Sequence, residues 1–172
     1  MTKQNVRGRI IKSLGGFYYV ADSEQKGNII ECRARGAFRQ QNVKPCVGDW
    51  AQVELTPQGK GYVVEIEERK NSLVRPPLAN LDQLVLVVSI ADPAPNAFVL
   101  DKLIAIAEYQ EIEPIIVITK CDLADPEEFA QIYRKAGFTV LETKSLQHEG
   151  IESVMEILKD KTSAFCGNSG VG

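Results

Sequence analysis

The chain has 172 residues, of which 20 are basic and 23 acidic, for a formal net charge of −3. It is 44% hydrophobic and 25% charged, which excludes a disordered polymer, a collagen and a coiled-coil rod. No apolar run approaches the roughly 18 residues that span a bilayer, and Met1 to Arg9 is polar without a signal core, so neither secretion nor membrane insertion is expected.

The charge is unevenly divided. Met1 to Lys70 carries 12 Lys/Arg against 8 Asp/Glu, and Asn71 to Gly172 carries 8 against 15. A basic half joined to an acidic half points to two modules with different partners. Arg7, Arg9 and Lys12 form one basic cluster, and Arg33, Arg35 and Arg39 another. These are either a solvated face or a nucleic-acid surface. Cys32, Cys46, Cys121 and Cys166 form no C-x-x-C pair and lie far from the single histidine, His148. No metal site is expected within the chain, and the thiols are expected to be reduced.

The first part reads as β-structure. Arg9 to Ile11 lead into a Gly15-Gly16 turn, followed by Phe17 to Val20 and then Asn28 to Cys32. Trp50 to Leu55 alternate Trp50, Gln52 and Glu54 against Ala51, Val53 and Leu55, the period of a half-buried strand. After Gly59 to Gly61, Tyr62 to Ile66 complete about five short strands. A small closed barrel removes the exposed edges. An OB-fold barrel matches the strand count, although an SH3-like barrel remains open. Asn71 to Leu81 contain Arg75-Pro76-Pro77, which favour extended backbone. The expected organisation is an all-β barrel over 1–70, a linker over 71–81 and an α/β domain over 82–172.

The second part changes period. Leu84 to Val88 read as a strand covered on both faces. Ala97 to Tyr109 read as a helix with Val99, Leu103, Ile106 and Ala107 on its inner face and Asp101 opposite. Ile115 to Ile118 form a second buried strand. Asp125-Pro126 open a helix that runs to about Ala136 and stops at Gly137. Phe138 to Leu141 form a third strand. Gly150 to Lys159 form a third helix, with Ile151, Val154, Met155 and Leu158 inward, and Thr162 to Cys166 form a fourth strand. Such alternation predicts a doubly wound α/β sheet, whose ligands bind beyond the carboxyl ends of the strands.

The segments at those strand ends carry chemistry. After Ile118 comes Thr119-Lys120-Cys121-Asp122, which resembles the guanine-reading Asn-Lys-x-Asp motif of GTPases. One carboxylate, Asp122, accepts both N1–H and the exocyclic amine of guanine. Adenine lacks that donor pair and would leave the charge unpaired. The stem of Lys120 lies along the base, and Thr119 replaces the commoner Asn. After Cys166 comes Gly167-Asn168-Ser169-Gly170-Val171-Gly172, the G-x-x-x-x-G start of a P-loop, where glycines let backbone amides turn toward phosphate. The P-loop next requires Lys and Ser/Thr, and the chain ends at Gly172. After Leu141, Thr143-Lys144-Ser145 occupy the place of the loop that offers an amide to guanine O6; a polar turn is an equally good reading. Asp122 precedes Gly167 by 45 residues, the reverse of the usual order, which implies circular permutation.

Taken together the chain resembles the circularly permuted, ribosome-associated GTPases of the RsgA/YjeQ type. The resemblance rests on Val47-Gly48-Asp49, Asn80-Leu81-Asp82-Gln83, Leu100-Asp101-Lys102, Thr119-Lys120-Cys121-Asp122-Leu123 and the Gly167–Gly172 ending. It implies a P-loop GTPase domain behind an OB barrel, and a cytoplasmic hydrolase acting late in maturation of the small ribosomal subunit; a monomer is the expectation, with the sequence leaving oligomeric state open. It implies GTP with Mg2+ as the nucleotide, ribosomal RNA and the small subunit as partners, and hydrolysis stimulated by that subunit. The implied GTP-binding residues are Thr119, Lys120, Cys121, Asp122, Ser145, Gly167, Asn168, Ser169, Gly170, Val171 and Gly172. The implied RNA contacts are Arg7, Arg9, Lys12, Arg33, Arg35 and Arg39. The family's structural Zn2+ belongs to a C-terminal domain outside these 172 residues. The P-loop Lys and Ser/Thr and both switch regions also fall outside, so no catalytic residue is assigned and the piece alone is expected not to hydrolyse GTP usefully. The alternative expectation is a non-catalytic RNA-binding barrel with a truncated or vestigial nucleotide half.

Overall fold

A computed structural model describes residues 5–35 and 44–172; Arg39 lies outside the described residues. The chain separates into two compact units, the first ending at Asn80 and the second beginning at Leu81.

The first unit is a closed five-stranded barrel. Its strands are β1 (Asn5–Leu14), β2 (Phe17–Asp22), β3 (Ile29–Ala34), β4 (Trp50–Leu55) and β5 (Gly61–Ile66), joined in the order β1-β2-β3-β5-β4 and back to β1. Neighbours are antiparallel except β3 and β5, whose parallel pairing gives the barrel its OB-like closure. β1 is long enough to pair with both β2 and β4, and a register shift between Ile10 and Lys12 bends it across. Alternation sends Ile10, Tyr18, Val20, Ile30, Cys32, Ala51, Val53 and Val63 into one buried core. Burial pushes the Cys32 thiol up to about 12.

The segment 71–81, expected as a linker, carries a hairpin of β6 (Ser72–Leu73) and β7 (Leu78–Ala79), with Pro76 and Pro77 in its turn. It groups with the barrel through Asn80. Ala79 donates its amide to the Val47 carbonyl at 2.9 Å. Gly48, at φ +97°, has the Ala79 carbonyl oxygen 2.0 Å from where a Cβ would sit, so no other residue fits there. The Asn80 side chain donates to Gly48 O at 3.1 Å and accepts from the Lys70 amide at 3.0 Å. Beside these, the fully buried Asp49 carboxylate takes two bonds from Arg69, at 2.7 and 2.8 Å, and one from the Cys46 amide at 2.8 Å. Val47-Gly48-Asp49 and Asn80 are thus the seam that holds the hairpin to the barrel.

The second unit is a four-stranded parallel sheet in the order β10-β9-β8-β11. The strands are β8 (Gln83–Ser89), β9 (Glu113–Thr119), β10 (Thr139–Glu142) and β11 (Ser163–Gly167). The helices are α1 (Ala97–Tyr109), α2 (Glu127–Lys135) and α3 (Ile151–Leu158). Asn96 caps α1 by accepting the Val99 amide at 3.1 Å. Asp125 accepts the Glu127 amide at 3.0 Å at the start of α2. The buried face of α1 is Leu100, Ile104 and Ala107, rotated from the expected stripe, and Ile106 is 49% exposed. In α3 the side chains packed on the Val85–Ile115–Val117 cluster are Val154, Ile157 and Leu158. Met155, expected inward, is 66% exposed. Asp82 and Gln83 clamp the start of β8 to β11: Asp82 accepts the Thr162 amide at 2.6 Å, and Gln83 donates to Ser163 Oγ at 2.8 Å and to the Ile157 carbonyl at 2.9 Å. Asp101 accepts the Tyr133 hydroxyl at 2.9 Å, linking α1 to α2. Among the described residues no helix is long and apolar enough to cross a membrane.

Replacing Asp49 by Ala leaves the Arg69 guanidinium and the Cys46 amide without their acceptor. Because Arg69 keeps some solvent access, the expected loss is about 3 kcal/mol, measured as a lower urea midpoint.

Candidate functional site

β9 lies on one side of β8 and β11 on the other, all parallel, so their carboxyl ends open onto one edge of the sheet. Two loops 45 residues apart in sequence meet there. Thr119, the last residue of β9, is buried, and its hydroxyl donates to the Val171 carbonyl. Lys120 follows at φ +60°, a left-handed conformation that costs a side-chain-bearing residue free energy and is common at functional turns. Its ammonium donates to the Gly170 carbonyl at 2.8 Å and to the Asp92 carbonyl. The residue after β11, Asn168, is reached through Gly167, where an added Cβ would sit 2.6 Å from the Val87 carbonyl oxygen. The stretch then folds back so that Val171 is buried.

A planar trans peptide points its N–H opposite its C=O. Anchoring the Gly170 and Val171 carbonyls on Lys120 and Thr119 therefore turns the amides of Val171 and Gly172 away from that turn. The Val171 amide donates to the Asn168 carbonyl at 3.4 Å.

A third loop completes the edge. The Thr143 amide donates to Ile118 O at 2.8 Å, and the Cys121 amide donates to Thr143 O at 3.2 Å, so the β9 and β10 ends are stitched together. Lys144 pairs with Glu149 at 2.6 Å, which raises its pKa and closes the loop at its base. Ser145 opens a single 3-10 turn, Ser145–Gln147. Cys121 is half-buried and its thiol is shifted up, chiefly by desolvation, so it is a packing residue rather than a nucleophile. Asp122 is exposed at the mouth, just before the Lys120–Leu123 turn closes at 2.9 Å. Among the described residues, none is hydrogen-bonded to its carboxylate.

The model of the RsgA GTPase matches residues 66–172, and that of the RsgA N-terminal domain matches 7–63. The chain belongs to the RsgA GTPase family. It is 46% identical over 172 residues to the small ribosomal subunit biogenesis GTPase RsgA of Caldanaerobacter subterraneus subsp. tengcongensis, covering 98% of this chain and 57% of that protein. It is 41% identical over 173 residues to the protein of the same description from Bacillus subtilis, covering 96% and 58%. The chain thus spans under three-fifths of the length of these relatives. Two solved structures match 98% of the chain and 62% of their own: YloQ, described as a circularly permuted GTPase (TM-score 0.83, 39% identity), and YjeQ from Thermotoga maritima (TM-score 0.85, 34% identity).

The basic residues of this RsgA-family barrel fall into two groups. Arg7 makes a bidentate pair with Glu67 at 2.7 and 2.8 Å and lies over Trp50. Arg9 donates to Gly48 O at 3.2 Å and Asn80 O at 2.8 Å, so it helps hold the hairpin seam. Arg35 pairs with Glu54 at 2.9 Å. Lys12 and Arg33 instead lie over Tyr19 and Phe17. Sequence reasoning did not find the Asp92 carbonyl, because a backbone acceptor leaves no residue signal.

Lys120→Ala removes the ammonium that ties Asp92 and Gly170 together. Faster amide exchange in a peptide covering 168–172 is expected, with the barrel's exchange unchanged, read by hydrogen-exchange mass spectrometry.

Proposed function

We propose that this chain forms the RNA-contacting barrel and the guanine-reading part of a cytoplasmic GTPase that acts in late maturation of the small ribosomal subunit. The observation that carries the reading is the pair of contacts from Thr119 and Lys120 to the Val171 and Gly170 carbonyls. They join a base-reading turn to a phosphate-type glycine loop across one sheet edge. The base lies at Asp122, with the stem of Lys120 along its face. The β10–α3 loop, including Ser145, closes the O6 side, and the amides from Asn168 to Gly172 face phosphate.

Mg2+ would arrive with the nucleotide and would offset phosphate charge there. Gly170-Val171-Gly172 bring no side-chain oxygen to it, and among the described residues no group of three or more His, Cys, Asp or Glu could hold a metal. GTP ordering of switch segments favours subunit binding, and hydrolysis stimulated by the subunit releases the factor. The barrel supplies salt-dependent affinity for ribosomal RNA through its cations.

Asp122→Asn tests the base assignment. The amide offers one donor and one acceptor where the carboxylate offers two acceptors, so it matches xanthine (N1–H and O2) and not guanine. Affinity for a fluorescent GTP analogue is expected to fall at least about tenfold, which is about 1.4 kcal/mol, while a xanthosine analogue gains. Equal GTP affinity in wild type and variant rejects the role of Asp122. The 172 residues alone lack the phosphate-neutralising lysine. With purified small subunits they are expected to release phosphate no faster than subunits alone.

A further inference from the structure

The barrel carries a groove that its basic residues alone do not describe. Phe17 stands opposite Arg33 in the β2–β3 ladder, and Arg33 stands opposite Tyr62 in the β3–β5 ladder. Directly opposed residues share a face, so Phe17, Arg33 and Tyr62 lie in one row on the outside of the barrel, with the Arg35 guanidinium 5.9 Å from the Tyr62 ring centroid. The Arg33 Cζ lies 4.6 Å from the Phe17 ring centroid. Among the described residues no carboxylate pairs with Arg33, whereas Arg35 is held by Glu54 and Lys60 by Glu31. Tyr62, the second residue of β5, is 41% exposed. Beside the row opens a cavity of about 260 Å³, with Phe17, Glu31, Arg33, Thr56, Lys60 and Tyr62 among its walls.

These groups present flat faces with polar atoms at the margin. A duplex hides its base faces and offers phosphates, for which projecting and solvated cations would serve. An unpaired strand offers π-faces, which stack on aromatic rings and guanidinium planes without regard to sequence. We infer that this groove, centred on Phe17, Arg33 and Tyr62, is a stacking platform for unpaired nucleobases of single-stranded RNA. The inference rests on the RNA-binding reading of the barrel and adds the strand form and the aromatic contacts. Thr56, Lys60 and Glu31 then meet base edges and ribose, and Lys12 over Tyr19 extends the track along β1 and β2.

The test is fluorescence anisotropy of the 172-residue chain with a labelled ten-nucleotide oligouridine and a ten-base-pair RNA duplex, over a salt series. The single strand is expected to bind more tightly than the duplex. Phe17→Ala and Tyr62→Ala are each expected to weaken it about 5- to 150-fold, leaving duplex affinity and the salt slope unchanged. Tyr62→Phe keeps the π-face and should bind as wild type. Tyr62→Leu keeps bulk without the face, and should lose affinity with an unaltered far-UV spectrum even where the alanine variant fails to fold. Undiminished binding by Phe17→Ala and Tyr62→Leu, or duplex bound as tightly as single strand, overturns the platform while leaving salt-dependent phosphate contact standing. A loss in Tyr62→Phe equal to that in Tyr62→Leu also overturns it, since the hydroxyl would then carry the contact. Absence of RNA binding at low salt removes both readings.

Discussion

The parallel register of β9, β8 and β11 is the constraint on which the nucleotide half depends. Parallel strands that share a direction deliver all their carboxyl ends to one edge. With β8 in the middle, Thr119 and Gly167 end up two strands apart, whatever their separation in sequence. The Thr119–Leu123 turn and the glycine-rich stretch therefore meet through the sheet rather than through the chain. Their meeting does not depend on which of the two comes first in sequence. Lys120, held in a left-handed conformation, acts as the cross-strut. Its ammonium takes the Asp92 and Gly170 carbonyls from two separate loops, and the exposed Asp122 is left available to a ligand.

The barrel is organised by a different interaction. A buried carboxylate is unfavourable unless charge and hydrogen bonds both compensate it. Asp49 meets that requirement with Arg69 on one side and the Cys46 amide on the other. Arg9 and Asn80 add bonds to the neighbouring Gly48 carbonyl. A hairpin with only two short strands is thereby fastened to the barrel. The basic residues differ in their partners: Arg7 and Arg9 lie over Trp50 and also donate hydrogen bonds to Glu67, Gly48 and Asn80, whereas Lys12 and Arg33 rest on the Tyr19 and Phe17 rings.

Most strands were legible because alternation and β-branched runs report burial directly. Trp50–Leu55 has the expected bounds, most other strands extend a few residues further, Thr139–Glu142 and Ser163–Gly167 are each shifted by one residue, and β3 starts one residue later, at Ile29. Helix faces were less legible. In Ala97–Tyr109 the stripe through Val99, Leu103 and Ile106 is as apolar as the one through Leu100, Ile104 and Ala107. Periodicity cannot choose between stripes about 100° apart; packing on β8 and β9 chose the second. In α3, contact with the Val85 cluster takes Ile157 inward and leaves Met155, on the nearly opposite face, exposed. The prolines at 76 and 77 announce a break in regular structure. They do not announce that the segment around them folds back as a hairpin, because the partner that captures it, Val47, is remote in sequence.

The sequence by itself determined the residue types that do chemistry. An exposed acid just after a buried strand, a glycine-rich stretch after another and a charge division between two modules are all local properties of short segments. Only the tertiary structure decided which backbone carbonyls those side chains hold, which arginines are internally paired, and that Phe17, Arg33 and Tyr62 form one row. Each of those depends on groups brought together by strand register across long separations. Register is set by the pairing of whole strands, which no short segment encodes.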